Sequence, residues 1–185
     1  MNDVCEYRTC VYQFVMVHVA SLDKLLRKAW MYWQERAGEP TWNMQYAFRG
    51  HMVVLVDAET ASDGEAIAEG FRRLGMGVVI GTRTWGGEIW RSGSNTLTDG
   101  GVARAPMTGV YGPEGKWLIE QIGVIPDIEV DNLPHATFIG QDAQLDAAIA
   151  HLKQKIAEDP RDVPKPPGVS ARGAPVFTPL TTPVV

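Results

Sequence analysis

The sequence predicts an α/β fold in which a βαβ core carries additional β-strands and is closed by a C-terminal helix. Two short, continuous apolar and β-branched runs, 52–56 and 78–80, are typical of strands buried on both faces. An amphipathic stretch over 63–75 separates them, and a second one begins after Asp142. A strand, a tight turn, a helix and a second strand in this order imply a parallel pairing with a right-handed crossover.

The first predicted element is a helix over residues 21–36. Ser21 is a favourable N-cap. Apolar side chains then follow at helical spacing along one face: Leu22, Leu25, Leu26, Ala29, Trp30 and Trp33. Gly38 and Pro40 are expected to end this helix. The aromatic but aperiodic segment 41–50 is expected to be a loop.

The later elements follow from the same patterns. The helix over 63–75 is expected to place four residues on one stripe: Ile67, Gly70, Phe71 and Leu74. Short alternating runs rich in Gly, Thr and Val over 88–130 predict β-hairpins or extensions of the sheet. Asp142 is the predicted N-cap of the last helix. The apolar face of that helix is expected to comprise Leu145, Ala148, Ile149, Leu152 and Ile156.

The chain divides into three parts. Seven of the twelve prolines fall within residues 160–185, where no hydrophobic period persists, so this segment is predicted to be an extended tail. The preceding residues, 21–159, are enough for one domain with a substantial core. Residues 1–20 form a separate N-terminal segment with no motif of their own.

Composition and charge exclude several classes of function. A net charge of -5 and a pI near 5.3 argue against a nucleic-acid partner and against an anionic membrane surface. The apolar run over 11–20 is too short to span a bilayer and lacks the basic flank of a signal peptide. The compartment stays open, with the cytoplasm as the default. The two cysteines, Cys5 and Cys10, provide neither a disulfide framework nor enough ligands for a structural zinc site.

Ser62 is the candidate nucleophile. The stretch VVLVDAETASDG, residues 53–64, is a buried strand followed by a turn of small and polar residues and by the start of a helix. Backbone N–H groups at a helix start have no partner within the helix, and the helix dipole there favours negative charge. A serine at this turn is therefore exposed beside an oxyanion site. The alternative is that Ser62 only caps the helix, because Ser is a common N-cap.

Three further motifs favour the catalytic interpretation. The run SDGEAIAEGFRRLGMGVVIGTRTWGG resembles the tail-specific (C-terminal processing) protease superfamily, and in particular its tricorn-type serine peptidase branch. LIEQIGVIPDIEV is similar to the G-V-x-P-D-x-x-V signature of that superfamily. LPHATFIGQDAQLDAAIAHL resembles the closing helix segment of the branch. The resemblance covers most of the chain, from about residue 22 to residue 157.

The resemblance implies hydrolysis of peptide bonds in peptides or proteins, with no metal or cofactor, on a fold layered as in ClpP and crotonase. It leaves a homo-oligomer open.

The resemblance also implies roles for individual residues. Ser62 matches the nucleophile, and the backbone N–H of Asp63 matches a donor to the oxyanion. Glu120 matches the acidic residue that completes the charge network of the tricorn branch, although a lone glutamate is more often a solvated charge. Trp85, Gly86 and Gly87 are candidates for a loop at the edge of the substrate, because paired glycines let a peptide backbone approach closely. An ordinary turn is the alternative.

The general base is the missing part. The processing proteases use a Ser–Lys pair, but Gly87 stands where their lysine would be, and no lysine lies between Lys28 and Lys116. The tricorn branch uses a histidine from an upstream segment that has no match here. None of the four histidines of the chain matches this base. They are His18, His51, His135 and His151. We therefore expect the chain to be a C-terminal fragment of a catalytic domain that is nearly inert alone.

Two other functions remain open. The domain could be non-catalytic, either binding peptide ends or existing as a truncated relic that a partner chain stabilises. It could also act on acyl-CoA substrates in the manner of the crotonases, which share the βα layering. The second alternative is weaker, because the GVIPD and TWGG segments have no role in such an enzyme.

Overall fold

A computed structural model describes residues 17–36, 38–42, 47–91, 93 and 95–168, with side chains from residue 21 onward. The described helices are α1 (Val17–Leu25), α2 (Asp63–Arg73), α3 (Pro134–Phe138) and α4 (Ala143–Glu158). The described strands are β1 (Tyr32–Trp33), β2 (Thr41–Trp42), β3 (Met52–Val56), β4 (Gly77–Gly81), β5 (Trp90–Arg91), β6 (Pro106–Thr108) and β7 (Ile128–Glu129). Cys5, Cys10 and the side chain of His18 lie outside the described part.

The centre of the fold is a parallel sheet in the order β3–β4–β7. β3 pairs with β4 from Met52 opposite Gly77 to Val56 opposite Gly81, and β7 pairs with the end of β4. The chain crosses from β3 to β4 through α2, so the predicted βαβ unit and the α/β fold class are confirmed. Because all three strands are parallel, their carboxyl ends meet at one edge of the sheet.

A helix covers each face of this sheet. Successive side chains of β3 point to opposite faces, and because they are apolar, both faces must be covered. On one face Val54 and Val56 pack with Ala68 and Phe71 of α2. On the other face Leu55 packs with Ala148 of α4. The last helix therefore closes the core as predicted. Its predicted cap is also confirmed, because the carboxylate of Asp142 accepts a hydrogen bond from the N–H of Leu145 at 3.0 Å.

The segment between β4 and β7 forms short antiparallel pairs, as its alternating pattern predicts. β5 pairs with β6, and isolated bridges join Thr96 to Val102 and Tyr111 to Trp117. These hairpins do not extend the central sheet, but β7 does. The sequence prediction left both outcomes open.

The helix predicted over 21–36 is wrong beyond its first turns. α1 starts earlier, at Val17, and ends at Leu25, and β1 pairs instead with β2 inside the segment 41–50 that was expected to be a loop. Leu22 reaches the core, whereas Trp30 and Trp33 are largely exposed. The helical spacing was therefore coincidental in the aromatic half, where β-propensity and strand pairing decided the conformation.

Two further differences concern α2 and the tail. In α2 the predicted stripe is shifted: Leu74 is half exposed, and Glu65 and Ala68 are buried with Phe71 instead. Residues 160–168 have no helix or strand, and the carbonyl of Asp162 accepts a hydrogen bond from Arg49 at 2.7 Å. The division at residues 20 and 159 remains a prediction. Among the described residues, no helix is both long enough and apolar enough to cross a membrane.

Candidate active site

The candidate site lies at the carboxyl edge of the sheet, where the loops after β3 and β4 meet. The backbone N–H of Trp85, after β4, donates to the carbonyl of Thr60, after β3, at 3.0 Å. Thr60 is buried and is fixed by Asp57, whose carboxylate accepts from the Thr60 N–H at 3.0 Å and from its hydroxyl at 3.1 Å. The turn that leads to Ser62 is therefore built on a rigid base.

Ser62 stands at the tip of this turn in an unusual backbone conformation. Its φ is 52° and its ψ is -122°, a region that favours glycine, and its side chain is exposed. A non-glycine residue with positive φ costs about 1–3 kcal/mol and persists only where its surroundings impose it. Asp63, the next residue, is the first of α2. The expected exposed serine at a helix start is therefore present, in the sharp strand-to-helix turn that nucleophilic serines occupy in other hydrolases.

Glu65, in the first turn of α2, holds this serine turn in place. Its side chain is fully buried. One carboxylate oxygen, Oε2, accepts from the N–H of Ser62 at 3.0 Å and from the N–H of Gly87 at 2.9 Å. The other, Oε1, accepts from the N–H of Gly86 at 2.7 Å and from the hydroxyl of Thr84. Four donors are the kind of surroundings that a buried carboxylate requires. The serine turn and the loop after β4 are therefore joined through one side chain.

Glu120 lies on the opposite side of that loop. Its half-buried carboxylate accepts from the N–H groups of Glu88 at 2.8 Å and of Ile89 at 2.9 Å. Ile119 and Gln121, on either side, both have a φ of 64°. Positive φ is costly for a β-branched residue such as Ile119, so local strain is concentrated at the turn that presents Glu120.

Residues 86–89, which we call the amide strip, connect the two carboxylates. Four consecutive backbone N–H groups bind them: the first two donate to Glu65 and the last two to Glu120. The carbonyl of Gly86 also accepts from the N–H of Gln121 at 2.8 Å. Gly86 has a φ of 92°, and a Cβ there would lie 3.1 Å from the nitrogen of Gly123. Its glycine is therefore explained by the packing of the strip against the turn at 119–123.

This arrangement changes what the predicted substrate loop can do. The N–H groups of Gly86 and Gly87 are already bound to Glu65, so they are not free to pair with a peptide backbone. Trp85 is 66% exposed, and its ring lies over Gly87. Of the three residues expected to form the substrate loop, Trp85 alone has a side chain, and that side chain is exposed.

Beside the strip, Glu120 borders a groove with a volume of about 450 Å³. Its other lining residues are mainly apolar: Ile89, Pro106, Met107, Thr108, Gly109, Val110, Trp117 and Gln121. A groove of this size could accommodate side chains of a peptide.

Glu88, in the middle of the amide strip, is buried, and one of its carboxyl oxygens lacks a hydrogen-bond partner among the described residues. Its side chain is 3% exposed, and the oxygen without a partner is Oε2. Burial, helped by the nearby carboxylates of Glu65, Asp63 and Glu120, raises the pKa of Glu88 to about 8. Glu88 is therefore largely protonated at neutral pH.

No described histidine side chain is placed to serve Ser62. His51 precedes β3 at the opposite end of the strand, and its Nε2 lies 2.7 Å from the carbonyl oxygen of Asp159. His135 is exposed on α3, which follows β7 at the far side of the strand order. His151 lies on α4, which covers the sheet face opposite α2. In the same part of the chain, no group of three or more His, Cys, Asp or Glu side chains is arranged to hold a metal ion.

The structure thus brings Ser62, Asp63, Glu120 and the strip together, and adds two residues that sequence reasoning missed. Glu65 had a signal, because Ser62 and Glu65 form the S-x-x-E capping-box pattern. Glu88 had none. Its place in the site involves a distant contact, because its backbone N–H binds Glu120, which lies more than thirty residues away in the chain.

Comparisons with known proteins identify the family of the chain. The profile of peptidase family S41 matches residues 15–130. The chain is 31% identical over 146 residues to the tricorn protease of Thermoplasma acidophilum, covering 79% of this chain and 14% of that protein. It is 34% identical over 143 residues to tricorn protease homolog 1 of Streptomyces coelicolor, covering 77% of this chain and 13% of that protein.

A crystal structure of the tricorn protease superposes with a TM-score of 0.72 at 31% identity, covering 77% of this chain and 14% of that chain. The chain therefore spans only about one seventh of the length of the tricorn protease that it matches. The family match itself covers more than half of this chain. The chain belongs to peptidase family S41, a family of serine peptidases, as one of its tricorn-like members.

Proposed function

We propose that this chain carries the nucleophile and part of the charge network of a serine peptidase that cleaves peptide bonds through an acyl-enzyme on Ser62. The observation that carries the proposal is the conformation of Ser62, an exposed serine held at positive φ immediately before a helix. A residue that only caps a helix has no need of this strain, because ordinary N-caps adopt extended backbone conformations.

The proposed reaction is acyl transfer. Ser62 Oγ attacks the carbonyl carbon of the peptide while its proton passes to a base that the described residues do not supply. The N–H of Asp63, at the start of α2, then donates to the oxyanion of the tetrahedral intermediate. The intermediate expels the amine, which takes the proton from the base, and leaves an ester on Ser62. Water hydrolyses that ester and restores the serine.

Glu120 is proposed to orient the base and to stabilise its charged form. The observation that supports this role is that the amide strip binds the Glu120 carboxylate and, through Glu65, contacts the Ser62 turn. Trp85 and the groove beside Glu120 are proposed to contact substrate side chains. Both surfaces flank the strip and are apolar, so the substrate class that they favour is an extended peptide with hydrophobic side chains.

The isolated chain should be a poor catalyst. Loss of a general base typically costs about 10²–10⁴-fold in rate. We therefore expect acylation of Ser62 by a strongly activated reagent but no measurable turnover of peptides. A homo-oligomer remains a prediction, which light scattering on the purified chain would test.

The test is labelling with a fluorophosphonate probe, followed by peptide mapping. Wild-type chain and Ser21→Ala should be labelled at Ser62, and Ser62→Ala should not. Ser21 is the matched control because it is a serine on α1, away from the site. Silence of Ser62 in a sample whose fold is verified by circular dichroism would instead favour a domain that binds peptides without cleaving them.

A further inference from the structure

Glu88 is the group in the site that the proposed reaction does not use. Its carboxyl is almost completely buried, and one oxygen has no hydrogen-bond partner in the described part of the chain. A buried polar atom without a partner costs about 1–3 kcal/mol, so a side chain in this state calls for an explanation. An apolar residue at the same place would avoid this cost.

The position of Glu88 relates it to both carboxylates of the site. Its own N–H binds Glu120, and the N–H of the preceding residue, Gly87, binds Glu65. The charged groups that face its side chain are Asp63 and Glu65 from α2 and Glu120 from the turn at 119–121, and all of them are acidic. A proton on Glu88 therefore removes a like-charge repulsion from the centre of the amide strip.

We propose that Glu88 is a positioning residue whose protonated carboxyl lets the amide strip dock on Glu65 and Glu120, and whose ionisation loosens that docking. This inference rests on the proposed function, because it assigns the strip the task of holding the Ser62 turn and Glu120 in register. Ionisation would place a third carboxylate between two that the strip already binds. The negative charge would then push the strip away from them, because the charged groups that act on Glu88 are all acidic.

The effect should appear near pH 8, where burial and the acidic neighbours place the pKa of Glu88. One pH unit above that point, about a tenth of the molecules keep the proton. The reactivity of Ser62 should therefore fall roughly tenfold by pH 9, relative to a variant in which residue 88 cannot ionise. An ordinary serine becomes more reactive as pH rises, so the effect appears in the ratio of the wild-type rate to the rate of the variant.

The first experiment measures the glutamate side-chain carboxyl carbons by ¹³C NMR from pH 5 to 10. In the wild-type chain the Glu88 carbon should titrate near pH 8, and the Glu65 and Glu120 carbons should show an inflection at the same midpoint. The inflection should vanish in Glu88→Gln and persist in Glu129→Gln, a matched control at an exposed glutamate on β7. Titration of Glu88 without any response from Glu65 and Glu120 would overturn the positioning role.

The second experiment measures the rate of fluorophosphonate labelling of Ser62 over the same pH range. The wild-type rate should stop rising above about pH 8, whereas the Glu88→Gln rate should keep rising. Parallel profiles for the two chains would overturn the inference. If neither chain is labelled at any pH, the proposed function fails, and the carboxyl titration alone then decides whether Glu88 positions the strip.

Discussion

Glu65 and Glu88 are two buried carboxyl groups of one site, placed in opposite surroundings. Glu65 accepts four hydrogen bonds, from Ser62, Thr84, Gly86 and Gly87. The side chain of Glu88 has an oxygen without a described partner. Burial alone therefore does not determine what a carboxyl group does in this protein. A carboxylate with its donors joins segments, whereas one without them keeps its proton and responds to pH.

The sharpest way to break this comparison is to remove Glu65. In Glu65→Ala the donors of the serine turn and of the strip lose their common acceptor in a buried place. We expect the free energy of unfolding to fall by at least about 3 kcal/mol, measured by urea denaturation. Glu59→Ala, an exposed glutamate of the preceding turn, should change it by less than about 0.5 kcal/mol. Similar values for the two variants would show that Glu65 is not the joining residue.

Glu88→Gln tests the other half of the comparison through the pH dependence of stability. Because the folded pKa of about 8 exceeds the ordinary value of 4.5, the folded chain binds the proton more tightly than the unfolded chain. Stability should therefore fall as pH rises from 4.5 to 8, by up to about 1.4 kcal/mol per pH unit, and level off above 8.

In Glu88→Gln the free energy of unfolding should lack this dependence on pH. The stability of the variant relative to the wild type should therefore increase as pH rises. Thermal unfolding at pH 5, 6, 7 and 8 would measure the difference. Equal slopes for the two chains would place the Glu88 carboxyl in water rather than in the core.

Substitutions of Thr84 test how much a single hydrogen-bond donor to Glu65 contributes. Its buried hydroxyl donates to Glu65 and accepts from the N–H of Val124 at 2.6 Å. Thr84→Val keeps the shape but loses both bonds, so we expect a loss of about 2 kcal/mol in unfolding free energy. Thr84→Ser keeps the hydroxyl and should lose clearly less. If serine were no better than valine at this position, packing rather than hydrogen bonding would hold the loop.

The smallest expected effect concerns the strain that Glu65 imposes on Ser62. Glycine adopts the φ of 52° without the steric cost that alanine pays. Ser62→Gly should therefore be more stable than Ser62→Ala by about 1 kcal/mol, measured by thermal unfolding of the two variants side by side. An alanine variant of equal or greater stability would mean that the serine turn is unstrained.

The parts of the fold that the sequence predicted well are those with local signals. β3, α2 and β4 form an apolar run, a capped amphipathic stretch and a second apolar run, and all three are present. Ser62 was found for the same reason, since a polar turn after a buried strand is visible in the sequence. The position of Glu120 near the site came from the resemblance, and the structure places it on the amide strip.

The parts that the sequence did not predict depend on distant contacts. The helix expected over 21–36 lost its second half to the pairing of Tyr32–Trp33 with Thr41–Trp42, which helical spacing cannot reveal. The binding of the Gly86 and Gly87 amides by Glu65 was likewise not visible in the sequence, and the substrate contact expected at these glycines stays a prediction. The burial of Glu88 also could not be predicted, because its backbone binds Glu120 from a distant part of the chain.

The amide strip has a mechanical consequence for any ligand. Its four N–H groups are divided between the carboxylate that anchors the serine and the carboxylate on the groove side, and its backbone is further tied to Gln121. The Ser62 turn and the turn that carries Glu120 are thus connected through the amide strip. A displacement of the Glu120 carboxylate is therefore expected to be felt at the Ser62 turn, because the same four residues of backbone bind Glu120 and Glu65, which holds that turn.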